Sequence, residues 1–480
     1  MRKKFITNLA LIITLNLLVK PFWIFGIDRT VQNIVGAEQY GFYFALFNFS
    51  LILNMLLDLG ITNFNNRNIA QNSHLLNKHF SNIILLRLIL GVVYFIVSIT
   101  IAYLWNYNWD QIKLLIFLVF NQFLSSFILY LRSNLAGLHL FKTDSVISVL
   151  DRIIMIIICG VLLWGNVTNT QFQIKWFVFA QTAAYSITAF TAFVLVLFRS
   201  GKIKIRFDKR FSIAILKQSY PFAILTLLMA SYNRFDAILL ERLLQDGSRQ
   251  AGIYAQAFRI LDAVSMFALL FAGLLLPIFS KMIKQKENVG QLTQLSFVLI
   301  VVPATIAAVT SAFYSNEIMG LLYHNHVSSS ANIFAILMFG FIPISTTYIF
   351  GTLLTANGSL KQLNIMASIG MALNIILNLV LIPKFQALGS AVSSLTTQLI
   401  TALIQVFLAY KIFNFKINYR LLLMLTIFVV GLFAIGFFSK LLPYNWIVKV
   451  IFMIVTGFII SFGSGLIKIK NMYYIIKYDK

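Results

Sequence analysis

Fourteen apolar runs, each near the 17 to 25 residues that a helix needs to cross a bilayer, occupy most of this 480-residue chain and leave it few ways to fold. The first seven are Phe5 to Phe25, Tyr40 to Phe64, Ile83 to Trp105, Ile112 to Ala136, Val146 to Trp164, Trp176 to Phe198 and Ile213 to Leu240. The second seven are Gly252 to Phe279, Leu292 to Phe313, Ala331 to Leu354, Leu363 to Ile382, Ala387 to Ile412, Leu421 to Phe438 and Trp446 to Leu466. They are continuously apolar and lack the period-two alternation of short barrel strands, so they are read as helices, which satisfy their backbone groups internally within lipid. At 60% hydrophobic and 11% charged residues, with a mean hydropathy of +0.87, the chain is far more apolar than a soluble domain. The expected fold is an all-α polytopic membrane protein with about 14 transmembrane helices. The N-terminal MRKKFITNLALIITLNLLVKPFW has the basic start of a signal peptide, but no small-x-small cleavage site follows, so it is read as a retained span. The single cysteine, Cys159, lies in the run IIMIIICGVLL and excludes an intrachain disulfide.

Orientation follows from where lysine and arginine fall. The even-numbered connections and both ends hold 25 of these residues and the odd-numbered connections seven, which places both termini in the cytoplasm of a cell whose cytoplasmic membrane carries the protein. The net charge of +24 would suit a nucleic-acid partner only if the basic residues clustered on one soluble surface; here they punctuate apolar runs.

The longest basic run, Arg199 to Arg210 (RSGKIKIRFDKR), falls after span six and is read as a cytoplasmic anchor touching anionic headgroups. It divides the first twelve spans into two sets of six. Because six is even, both sets begin on the same side, and any repeat is related by a pseudo-two-fold along the membrane normal. The expected domains are therefore an N-terminal six-helix bundle (1–200), a C-terminal six-helix bundle (201–412), and two additional helices with a basic tail (413–480). A short internal echo agrees: Asp28 followed by Gly41-Phe-Tyr43-Phe-Ala45 resembles Asp236 followed by Gly252-Ile-Tyr254-Ala255.

Charges inside the spans need explaining, because one at mid-bilayer costs about 2.5–3.5 kcal/mol on insertion scales. With Lys113, Arg132, Lys217 and Lys411, near the ends of their runs, counted with the adjoining connections, the cations left are Lys20, Arg87, Arg152, Arg234, Arg259 and Lys449; the last begins its span and is read as an interface anchor. At 1.5 Å per residue, Arg87 and Arg152 lie about 6 and 9 Å inside their cytoplasmic boundaries, so both snorkelling and a cavity-facing role stand. Arg259 either faces a cavity or pairs with Asp262, three residues on along the same face. Arg234 and Asp236, two apart, point to different sides. Asp58 lies on a stripe with Ser50, Asn54 and Thr62, where it either binds a coupling ion or pairs with a cation such as Lys20 or Arg87. Ser394, Gln398, Thr401 and Gln405 form a second stripe, open to two readings: interhelical packing or a hydrated cavity.

Catalytic constellations are missing: the sequence holds no HExxH, no GxxxxGK[ST], no GxGxxG and no paired cysteine motif, and its five histidines fall in loops or at span ends. No enzyme activity, metal or cofactor is expected.

The hairpin from Ser219 to Ser280, with an intramembrane Asp, a short outer turn and then Gly252-Ile-Tyr254-Ala255 and Arg259, resembles the bacterial polysaccharide flippases of the Wzx kind, in the superfamily of the lipid II flippase MurJ and the MATE exporters. So do Val35 to Gln71, Leu274 to Met282 and Leu353 to Gln362. The last two spans are similar to the extra pair of fourteen-span members. The resemblance implies a secondary transporter in the bacterial inner membrane that flips an undecaprenyl-diphosphate-linked oligosaccharide to the outer leaflet by alternating access, for O-antigen, lipopolysaccharide or capsule biosynthesis. It also implies a polysaccharide polymerase as a possible partner. On that reading Arg234, Arg259, Lys20, Arg87 and Arg152 line the diphosphate and glycan cavity, arginine being suited by its planar fork of donors, while Asp58, Asp236 and Asp262 couple or pair. The alternative is a MATE-like multidrug or cation antiporter, whose cavity should be net acidic.

Overall fold

The computed structural model describes residues 15–16, 18–62, 65, 76–138, 140–165, 167, 170–200 and 208–466. The start of span one, Arg67 in the first loop, the middle of the basic linker after span six and the basic tail from Lys468 lie outside them. Every regular element among the described residues is a helix. Among the described residues, twelve helices are long and apolar enough to cross a membrane, and two of these are bent: one joins the end of expected span one to span two, the other holds spans eleven and twelve. Leu18–Asp58 bends at Gly36, whose φ of 79° lies in the left-handed region that glycine enters without penalty. Leu360–Phe413 bends at Gln386 (φ 52°), three residues after Pro383 has removed a backbone donor. The fourteen expected spans are therefore all represented.

Contacts divide the chain into two compact units, Met1–Gly252 and Ile253–Lys480. Unit one begins with a π-helical turn, α1 (Phe22–Asp28), and runs through α2 (Arg29–Leu53), α3 (Met55–Asp58), α4 (Leu76–Leu104), α5 (Trp109–Gly137), α6 (Phe141–Trp164), α7 (Ile174–Ser200) and α8 (Lys209–Leu243) to the first turn of α9 (Gly247–Lys284). The amphipathic start of α5 is fixed by a capping box, in which Asn108 and Gln111 satisfy each other's backbone donors. α5 then packs against α7, α2 and α4, and α8 against α2. Ile83, Leu86, Leu90, Leu124, Ile128 and Leu131 fill the space between α4 and α5. The seventh span thus packs against α2 within unit one.

Where α2 meets the first turn of α9, two glycines let the backbones touch. A Cβ built on Gly41 would lie 1.8 Å from the Ser248 carbonyl oxygen, and one on Gly252 would lie 1.8 Å from the Ala37 carbonyl oxygen. The contact is reciprocal: each glycine meets the carbonyl four residues before the other. These glycines are the two that align in the internal echo, so the sequence similarity marks a packing rule shared by both hairpins.

Unit two is built around α10 (Gly290–Phe313). α13 (Phe341–Ala356) and α12 (Val327–Phe339) pack on it, with α14 (Leu360–Phe413) behind them. The last two spans, α15 (Tyr419–Leu441) and α16 (Trp446–Gly463), also lie against α10, where Val302, Ile306, Phe428, Leu432 and Met453 are buried together. The connection between spans nine and ten contains a short helix, α11 (Ser315–Leu322). It is anchored to α15 because Tyr314 and Ser439 hydroxyls bond at 2.7 Å and Lys440 donates to Glu317 at 2.9 Å.

Candidate functional site

The sequence-predicted charges of unit one keep different company. Asp58 and Arg87 meet. Arg87 on α4 is 2% exposed and forms an ion pair with the Asp58 carboxylate at the end of α3. Its other guanidinium nitrogen donates to the backbone and side-chain oxygens of Ser126, both at 3.0 Å, and its plane lies 4.8 Å from the Tyr130 ring centroid. Thr62 bonds to the same carboxylate and accepts from Arg87 at 2.6 Å. The helix breaks immediately after Asp58, through Leu59 (φ 44°) and Gly60 (φ 82°), so Asp58 and Thr62 are brought together across the break while Arg87 binds both. Both terminal nitrogens of Arg87 are thus engaged, by a carboxylate, hydroxyls and a carbonyl inside a span, while its buried Nε has no hydrogen-bond partner among the described residues.

Lys20 and Arg152 lie in a second, more open cluster. Pro21, which has no backbone donor, precedes the wide π-helical turn α1, and that turn carries Trp23 and Asp28 inward. The Arg152 guanidinium stands 5.4 Å from the Trp23 ring centroid and 5.8 Å from that of Tyr185, with Asp151 3.5 Å from its Nε. Cations over aromatic faces at such distances are attracted by the ring quadrupole. Lys20 is half-buried and within electrostatic reach of Arg152, Asp151 and Arg132. Trp23 also stacks on Phe177 at 5.6 Å, which meets Tyr43 edge-on at 5.4 Å. The cluster joins two half-exposed cations to buried aromatic rings, an arrangement able to bind an anionic group.

Arg234 on α8 is half-buried and donates to Asn48 Oδ1 of α2 at 3.4 Å; Asp236, two residues on, is 1% exposed. The expected divergence of these two side chains is thus matched by different burial. Arg259 and Asp262 are both half-buried on α9 within unit two. The two polar stripes are engaged in packing. Asn54 donates to Gln122 of α5 at 2.9 Å, Tyr94 to the Ser50 carbonyl at 2.8 Å, and Gln405 lies against Met366 at 3.9 Å. Buried Asn121 and Gln181 likewise bridge α5 and α7 at 3.4 Å.

Three further groups were not among the predicted site charges, although Asp28 marks the internal echo. Asp28 is 2% exposed and accepts from Tyr40 at 2.8 Å and Gln32 at 3.3 Å. Arg132 grips Asp144 with two nitrogens, at 2.7 and 3.3 Å; the pair spans the α5–α6 connection, and its twelve-residue separation gave no periodic signal. At the far end of α8, Glu241 accepts from Gln111 at 2.7 Å and contacts Arg242 at 3.1 Å, while the Arg242 guanidinium stacks 3.7 Å from the Tyr107 ring centroid. Burial, with Glu241 nearby, pushes the Tyr107 phenol above its ordinary range, so it stays protonated. This cluster pins the end of α8 to the connection between α4 and α5.

The sequence profile of the family described as "Polysaccharide biosynthesis protein" matches residues 6–283, more than half of the chain. The protein belongs to that family. A curated relative, the uncharacterized membrane protein MJ1068 of Methanocaldococcus jannaschii, is 23% identical over 225 residues, covering 45% of this chain. The match spans 43% of the relative's own length, under half. The fold is similar to that of the lipid II flippase MurJ in an inward closed conformation, with a TM-score of 0.72 at 15% identity over 94% of this chain and 98% of the other. It is also similar to an inward-facing MATE multidrug transporter of the MOP superfamily, with a TM-score of 0.62 at 12% identity over 85% and 98% of the two chains. A further likeness is to a MOP transporter from Pyrococcus furiosus, described by the reverse polarity of its binding pocket (TM-score 0.61, 12% identity, 86% and 96% covered). The polysaccharide biosynthesis family therefore has the MurJ and MATE fold in this member, and its neighbours in structure are transporters and flippases.

Proposed function

We propose that the protein is a secondary transporter that flips an undecaprenyl-diphosphate-linked oligosaccharide from the cytoplasmic to the outer leaflet of a bacterial inner membrane, by alternating access, with both termini in the cytoplasm. The observation that carries this reading is the cluster of Lys20, Arg152, Trp23 and Tyr185, in a chain of the polysaccharide biosynthesis family. Two half-exposed cations suit a diphosphate, arginine by paired hydrogen bonds that keep their charge within the bilayer. Arg234 in unit one and Arg259 in unit two are the further cations assigned to cargo. Arg87 and Asp58 are assigned to each other, and Asp236 and Asp262 to pairing or coupling. The twelve core spans act as an N-terminal set (1–200) and a C-terminal set (201–412), with 413–480 as an accessory pair and tail. A cytoplasmic-membrane polysaccharide polymerase is the partner that consumes the flipped product.

The test is to delete the gene and determine on which leaflet lipid-linked oligosaccharide accumulates. Accumulation on the cytoplasmic leaflet, reversed by the wild-type gene but not by Arg152→Ala, supports the reading. Normal export together with altered drug sensitivity would point instead to the multidrug antiporter.

A further inference from the structure

Away from the intramembrane charges, unit one has a cavity of about 320 Å³ lined by Gln39, Gln171, Phe172, Gln173, Ile174 and Lys175, within the size range of small-molecule sites. Two distant segments build it. Gln39 sits three residues beyond the bend at Gly36, and the other five form the lead into α7 and its first turn. Phe172 and Ile174 are buried and give the cavity an apolar floor, with Phe172 held edge-on to Trp176 at 5.9 Å. Gln39, Gln171 and Lys175 are exposed at the rim and Gln173 is half-buried. Among the described residues, no side chain pairs with any of these four polar groups.

Three amides around an apolar floor have a particular chemistry. Each amide offers two donors and an acceptor, which matches hydroxyls that both donate and accept, and the floor matches the C–H face of a pyranose. The ammonium of Lys175 adds a partner for a carboxylate. Both segments belong to odd-numbered connections, which the distribution of lysine and arginine assigns to the outer side. We propose that this cavity is an outward-facing subsite for one sugar residue of the flipped glycan, preferentially one bearing a carboxylate. The inference rests on the glycan-flipping reading and gives it a second contact, reached after the lipid-linked group has crossed.

The test uses the full chain in nanodiscs with two probes, a glucuronate-containing disaccharide and maltose, observed by saturation-transfer NMR. Saturable transfer to both is expected, tighter for the uronate. Lys175→Gln should weaken the uronate at least fivefold and leave maltose unchanged, and Gln171→Ala with Gln173→Ala should abolish transfer to both. Export of surface polysaccharide should fall in the same variants at normal membrane abundance. Absence of saturable transfer to the wild-type protein, or transfer unaffected by the variants, overturns the subsite. Loss of binding with unchanged export overturns its assignment to the cargo. These outcomes are separate from failure of the flipping reading, which shows in the deletion strain as no build-up on the cytoplasmic leaflet.

Discussion

Gly41 and Gly252 allow two helix backbones to approach so closely that a single methyl group is incompatible with the contact. In Gly41→Ala the new Cβ would sit 1.8 Å from the Ser248 carbonyl oxygen and 2.4 Å from the Gly252 nitrogen. A comfortable carbon to oxygen contact is about 3.3–3.6 Å, so the overlap is about 1.5 Å, and both obstacles are backbone atoms that no rotamer change can move. The helices must therefore part by a comparable distance. That separation gives up weak C–H···O contacts of about 0.5–1 kcal/mol each, and forced insertion of carbon into a close-packed site costs about 1–3 kcal/mol. A loss of about 1.5–3 kcal/mol corresponds to roughly a 10- to 150-fold shift away from the arrangement described here.

Cysteines at Val35 and Ser248, both half-exposed and close in sequence to the contact, report it in a Cys159→Ala background. Crosslinking by a short reagent should be efficient with both glycines present and fall at least tenfold with Gly41→Ala. Gly252→Ala should act alike, and the double variant should cost little more than either single one, because both methyls open the same contact. Transport should slow without loss of folded protein. Wild-type crosslinking in Gly41→Ala, or two fully additive effects, would refute the idea that this contact holds the helices together.

Four further outcomes are expected. Arg87→Ala should lower stability by about 3–5 kcal/mol, less whatever relief the partial exposure of Asp58 allows, and adding Asp58→Asn should recover much of it; thermal unfolding in detergent checks both. Asp58→Asn alone should keep the full dependence of transport on the ion gradient, measured in proteoliposomes, because its carboxylate is engaged by Arg87 and Thr62. Arg152→Ala and Arg234→Ala should each abolish surface polysaccharide at unchanged membrane abundance, with the lysine variants restoring part of it, as read by immunoblot and glycan staining. Oxidative locking of the Val35 and Ser248 cysteines should stop transport, and reduction should restore it.

The spans were legible because each must satisfy a bilayer by itself. Length and apolarity are local properties, so fourteen runs could be found without knowing any neighbour. The bends were less legible. Gly36 is one glycine among 24, and Gln386 reaches φ 52° with no glycine at all. Inside the bundle, legibility fell further, since the meaning of a polar residue depends on which helix faces it. The stripe Ser50, Asn54, Asp58 and Thr62 was visible from its spacing, but not that Asn54 meets Gln122, 68 residues away.

Arg87 and Arg152 show what such neighbours decide. Sequence treats them alike: each is an arginine about one to two turns inside a span, near enough to the boundary to snorkel. Arg87 turns inward, and its terminal nitrogens are taken by Asp58, Thr62 and Ser126 while the Tyr130 ring covers its plane. A diphosphate could reach it only by displacing a carboxylate and leaving that charge without its partner, a cost of several kcal/mol within the bundle. Arg152 keeps a side chain 27% exposed, and its carboxylate neighbour is the adjacent residue, 3.5 Å from Nε. Its aromatic neighbours attract a cation without occupying its donors. On the reading proposed above, the more exposed Arg152 is the cation offered to cargo, while Arg87, whose carboxylate partner would first have to be displaced, holds the broken end of span two.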